Sequence, residues 1–160
     1  GFVFGLREGA SQSPQSPLGL FESHRDVGAV LKPGSAAFDP AQGAYRVAGG
    51  GANMWFTNDA LHFVWKRASG NLSLAADVQW IGTGGNAHRK ACLLIRQSLD
   101  ADSAYADAVL HGDGLTSLQY REEQGGPTRE IQSNASAPQR IRIEKQGDYV
   151  SMFIGQKGDE

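Results

Sequence analysis

The sequence predicts an all-β chain of about ten antiparallel strands, folded as a sandwich or a barrel. Three observations predict it. Short apolar runs of strand length recur along the chain, each bounded by Gly, Asn, Asp or Pro. Within the runs polar and apolar side chains alternate, the period of a pleated strand. Glycine is frequent, 21 of 160 residues, and helix-period apolar patterns are scarce, which suits many tight turns.

Residues 1–6 (GFVFGL) are apolar but too short to span a membrane; they read as the tail of a signal-peptide apolar region or as a short strand. Residues 7–19 (REGASQSPQSPLG) read as a flexible arm. The folded domain is expected over 20–160. Residues 24–34 read as an irregular segment closed by a Lys32-Pro33-Gly34 turn. Short strands follow at 36–39 and 44–48, with Tyr45 and Val47 sharing a face. The run Gly49-Gly50-Gly51 permits backbone shapes closed to other residues.

The strand at 61–66 puts Leu61, Phe63 and Trp65 on one side. The strand at 72–80 aligns Leu72, Leu74, Ala76, Val78 and Trp80. Ser69-Gly70-Asn71 turns between them, and a glycine-rich loop follows at 82–86. Later strands are expected at 128–132, 140–145 and 149–154. In the second of these, Ile141 and Ile143 point inward and Arg140, Arg142 and Glu144 outward.

The central block, 88–121, carries the most information. Apolar runs at 91–96, Tyr105–His111 and 115–121 are separated by an Asp/Ser-rich loop and by Gly112-Asp113-Gly114, which reads as two hairpins. Tyr105, Asp107, His111, Ser117, Gln119 and Arg121 share one parity. Ala106, Ala108, Leu110, Leu118 and Tyr120 share the other. This predicts a sheet with one packed face and one solvated, hydrogen-bonding face.

Composition excludes some classes of partner. The net charge is -2 and Lys and Arg are scattered, so nothing electrostatic favours nucleic acid or an anionic membrane. No apolar run approaches the ~18 residues of a spanning helix. The lone Cys92 has no disulfide partner and reads as a small buried hydrophobe. The four histidines show no metal-ligand spacing, so no zinc site or other cofactor is expected. The Asp100-Ala101-Asp102-Ser103 loop lacks the downstream Glu of an EF-hand, and a structural calcium elsewhere stays open.

Several segments occur in a suggestive order: His24-Arg25-Asp26-Val27-Gly28, GGGANMW at 49–55, DALHFVW at 59–65, Ser69-Gly70, 88–96, 111–121, and Arg142-Ile143-Glu144-Lys145 with Gly147. Together they resemble secreted bacterial domains of the concanavalin A-like (lectin/glucanase) group. The resemblance is to the sandwich that accompanies a β-propeller in Tol-biopolymer-transport-like proteins, and to sandwiches of unknown function attached to some glycoside hydrolases. It covers about 20–160. It implies a two-sheet antiparallel jelly-roll sandwich in a secreted or periplasmic protein. Such domains continue past the point matching Glu160, so C-terminal strands are expected to be missing here.

A glucanase needs two carboxyls flanking the sugar bond, about 5 Å apart for retention. No strand here offers such a pair: Glu122 and Glu123 are adjacent and point to opposite faces. The reading is therefore a non-catalytic binding module for carbohydrate. Its expected ligand-binding residues are Trp55, Arg96, Tyr105, Asp107, His111, Gln119 and Arg121. Trp55 follows the glycine run and breaks the alternation, so exposure is expected there. Trp65 and Trp80 are expected in the core. Structural readings run alongside: His111 bonds across its hairpin, and Arg96 and Arg121 pair with Asp107 or a nearby carboxylate. Two alternatives stay open. One is an assembly subunit, self-associating through an open sheet edge or the N-terminal arm. The other is part of a glycoside hydrolase, either degenerate or with acid residues supplied by a missing segment; activity lost on changing Asp107 or Glu123 would support it.

Overall fold

The structure is a computed structural model that describes residues 16–159. The apolar start at 1–6 and most of the expected arm lie outside the described residues. Among those described there are eleven strands and no helix, and every strand pairing is antiparallel. The all-β expectation therefore holds. The strands fall into two compact units, one comprising residues 16–52 plus Ala60–Arg67, the other Asn53–Asp59 plus residues 68–159.

The first unit holds β1 (Ser23–Val27), β2 (Lys32–Asp39), β3 (Ala44–Gly50) and β4 (Leu61–Trp65). β1 pairs with β4 and β2 with β3. Four of the five residues of β1, His24 to Val27, lie in the segment read as irregular. Its sequence, SHRDV, carries no apolar alternation; the ladder offered by β4 makes it a strand. β2 likewise starts at Lys32, where a turn was expected. Its register shifts between Lys32 and Ser35. Pro33 and Gly34 occupy that irregularity, where the N–H that proline lacks is not needed. Aromatic packing joins Phe21, Phe38 and Tyr45, with ring centroids 5.1 and 4.6 Å from Tyr45. Val47, expected beside Tyr45, is half exposed.

The glycine run ending β3 serves close approach, not unusual torsions. None of Gly49, Gly50 and Gly51 has a positive φ. A Cβ on Gly51 would meet the Ala60 carbonyl oxygen at 1.8 Å, and one on Gly50 would meet that of Lys32 at 2.4 Å. Backbone cannot yield as a flexible side chain does. Gly51→Ala is therefore expected to destabilise the protein by about 1–3 kcal/mol, the usual cost of overpacking. A urea midpoint equal to wild type would remove this account of the run.

The second unit holds β5 (Leu72–Asp77), β6 (Lys90–Arg96), β7 (Tyr105–His111), β8 (Thr116–Arg121), β9 (Arg129–Gln132), β10 (Arg140–Gln146) and β11 (Tyr149–Gly155). They form two sheets, ordered β11-β10-β5 and β6-β7-β8-β9. Both contribute to one apolar core. Ala108, Ile141 and Ile143 are at most 1% exposed, and Leu74, Val78, Leu93, Ile95, Val150, Met152 and Ile154 pack around them. Each fully buried isoleucine stabilises the unit by about 1.5–3 kcal/mol. β5 stops at Asp77, short of Trp80: beyond it the Val78 N–H donates to the Gln139 carbonyl at 2.9 Å outside the ladder. Gly147, at φ 58°, closes the β10–β11 hairpin in a conformation that favours glycine.

Candidate binding surface

Parity along β7 and β8 is as the alternation requires. Arg96 lies opposite Tyr105, Tyr105 opposite Arg121, and Asp107 opposite Gln119. These side chains, with His111, occupy one face of the four-stranded sheet, and Ala108 on the other face enters the core. The environment of the polar face is not the expected one. Tyr105, Asp107, His111, Gln119 and Arg121 are all buried, none more than 5% exposed. The Arg96 side chain is 2% exposed, and Trp55 is half-buried. The predicted residues are gathered on one face, but that face is dry.

Part of the cover is the Asn53–Asp59 segment. Arg121 donates to both Asp59 carboxylate oxygens, at 2.8 and 2.9 Å. Its remaining N–H groups reach the carbonyls of Gly126, Ser103 and Phe56 at 2.9–3.0 Å, and its guanidinium sits 5.0 Å from the Tyr105 ring centroid. Arg96 adds a contact to Asp59 at 3.3 Å. The two arginines thus pair with Asp59, not with Asp107. The Tyr105 hydroxyl donates to the Met54 carbonyl at 3.2 Å. Lys90 donates to the Met54 carbonyl at 3.1 Å and to Gln119 Oε1 at 2.9 Å, and its ammonium lies 5.4 Å from the Trp55 ring centroid. Burial lowers the Lys90 pKa, against the pull of Asp107.

The network continues toward β9. Gln119, Ser117 and Gln132 all donate to the Glu130 carboxylate, at 2.8–2.9 Å. Partial burial raises the Glu130 pKa, but those three hydrogen bonds outweigh it and hold the group low. His111 bonds the Leu115 carbonyl through Nδ1 at 3.1 Å, the cross-hairpin contact anticipated for it, and burial lowers its pKa.

Asp107 is the exception in a well-satisfied network. Its Oδ1 accepts from the Gln119 backbone N–H at 3.3 Å, while its buried Oδ2 has no hydrogen-bond partner among the described residues. Burial pushes its pKa up to about 7. Desolvation and the neighbouring Asp107 push the Cys92 thiol up as well, which disfavours the thiolate. Among the described residues no group of three or more His, Cys, Asp or Glu is placed to enclose an ion.

An exposed counterpart lies on the three-stranded sheet, where no site was anticipated. Tyr149, Ser151 and Phe153 project from β11 on the face opposite Val150, Met152 and Ile154. Tyr149 is 81% exposed and Phe153 42%. The register sets Gln146 beside Tyr149, Glu144 beside Ser151 and Arg142 beside Phe153. The Arg142 guanidinium stacks 4.3 Å from the Phe153 centroid and pairs with Glu144 at 3.1 Å. Ser73 of β5 reaches Glu144 at 3.4 Å. Glu144, Gln146, Tyr149, Ser151 and Phe153 line a shallow cavity of about 340 Å³. The signal was present in YVSMFI, where both parities carry large apolar residues. That pattern does not say which set faces water.

No family model, no curated protein and no solved structure matches this chain. The resemblance to concanavalin A-like domains therefore rests on the quoted motifs alone.

Proposed function

We propose that the chain is a non-catalytic carbohydrate-binding module whose surface is the outer face of β10 and β11, in place of the buried face of β7 and β8. The observation that carries this is the exposed Tyr149 ring beside the cavity that Glu144, Gln146 and Ser151 help line. An aromatic face stacks on the C–H groups of a sugar while polar neighbours bond its hydroxyls. Tyr149 and Phe153 are four residues apart on one strand, about 13 Å at strand rise, which suits an extended oligosaccharide. Arg142 covers the Phe153 ring and supplies donor N–H groups at that end.

The carboxylates on this face argue against hydrolysis. Asp77 and Glu144 are ion-paired to Arg140 and Arg142. In register they stand four positions apart, about 13 Å, beyond the ~5–9.5 Å separation of glycosidase pairs. The motif resemblance supports a jelly-roll sandwich in a secreted or periplasmic bacterial protein.

Calorimetric titration against neutral and acidic polysaccharides tests the proposal. At least one should bind, and Tyr149→Ala should weaken it about tenfold or more. Absence of binding to every glycan, or an unaltered affinity in the variant, would remove the reading. A second reading rests on the sheet edge: among the described residues β11 has a single ladder partner, β10, and an open edge can take a strand from another copy. A concentration-dependent elution volume without glycan binding would favour it.

A further inference from the structure

The first unit contains an arrangement that the carbohydrate reading does not use. Asp26 of β1 lies opposite His62 of β4. Its carboxylate accepts from His62 Nδ1 at 2.7 Å and from the Gly34 backbone N–H at 3.1 and 3.2 Å. The His62 side chain is 3% exposed. The β2 backbone lies so close that a Cβ on Gly34 would fall 2.3 Å from the ring. The ring is therefore locked in one orientation, with its Nδ1 proton committed to Asp26.

That commitment leaves Nε2 of His62 as the free nitrogen, and it points at His24. The His62 Nε2 to His24 Nδ1 distance is 2.9 Å, and the ring centroids are 5.0 Å apart. His24 is exposed. A buried imidazole held by a carboxylate on one nitrogen, with its other nitrogen aimed at a second imidazole, is the arrangement by which proteins present histidine to a metal. The spacing suits it. On a tetrahedral ion with metal–nitrogen bonds of about 2.0–2.1 Å, two imidazole nitrogens stand about 3.3 Å apart. Because the fixed His62 Nε2 aims at His24 Nδ1, admitting the ion requires the exposed His24 ring to swing aside, by about 2 Å at Nδ1.

We propose that His24 and His62 bind a divalent first-row transition ion, through Nδ1 and Nε2 respectively, with Asp26 as the positioning residue for His62. Water fills the remaining coordination positions. Imidazole ligands suit zinc, copper and nickel better than calcium or magnesium.

The test is calorimetric titration of the full chain with Zn²⁺ at neutral pH. Wild type should show one saturable site. His24→Ala, at an exposed position, should keep the strand circular dichroism and weaken binding at least tenfold. Asp26→Asn should weaken it about 10–100-fold, the effect of losing a carboxylate behind a ligating histidine. His88→Ala is the control, because the His88 and His111 rings also lie near each other, with centroids 6.0 Å apart. It should bind Zn²⁺ like wild type. Lack of saturable binding in wild type, full affinity in His24→Ala, or loss confined to His88→Ala would each overturn the proposal.

Discussion

Asp59→Ala is expected to lower the unfolding free energy by about 3–5 kcal/mol, the cost of removing one partner from a buried ion pair. Asp59 is 2% exposed and its side chain is fully covered. It is the carboxylate that both arginines contact. Removing it leaves the Arg121 and Arg96 guanidinium groups, 0% and 2% exposed, facing each other without an anion. It also frees the Asn53–Asp59 segment, whose Phe56 carbonyl is held by the same arginine. Because the pair is dry, the loss should change little between low and high salt. Urea denaturation of wild type and variant measures it. A difference below about 1 kcal/mol, within the ordinary range for an exposed pair, would mean the pair is solvated after all.

Asp107→Asn is expected to act in the opposite direction, and only above mildly acidic pH. The native carboxyl titrates at about 7, raised by burial from the model-compound value of 3.8. The folded state therefore binds this proton more tightly than the unfolded chain does. The contribution of Asp107 to stability is fully present below about pH 4, falls as pH rises toward 7, and is lost above it. Asparagine keeps an oxygen for the Gln119 N–H and carries no charge to desolvate. At pH 8 the variant should be more stable than wild type by about 1–4 kcal/mol, and at pH 4 the two should nearly coincide. The difference between the two proteins is the quantity to follow, since Asp26 and Glu130 are held low and weaken the fold toward acid in both. A constant difference from pH 4 to pH 8 would show that Asp107 does not titrate in this window.

Much of the strand layout is legible in the amino-acid sequence. The period-2 alternation in β5, β7, β8 and β10 sorts side chains onto two faces, and a strand cannot be packed without obeying that sorting. Ile141, Ile143, Leu74 and Ala108 are core residues as the pattern requires. β1 was not legible, because SHRDV has no apolar period; its strand conformation comes from pairing with β4, more than thirty residues later. The glycine run at 49–51 was legible as special but not as close packing, since torsional freedom and absence of a Cβ give the same letter.

The candidate sites divide along the same line. Local order in the chain decides which residues share a face, because pleat geometry is a property of neighbouring peptide units. It placed Tyr105, Asp107, His111, Gln119 and Arg121 together. Whether a face is wet depends on what arrives from elsewhere in the chain. Here Asp59, 62 residues from Arg121 in sequence, lies over the polar face, while the Tyr149 and Phe153 face stays open. The His24–His62 contact is of that second kind too. Burial and long-range pairing are decided by the sum of many contacts spread through the fold, and no window of adjacent residues contains that sum.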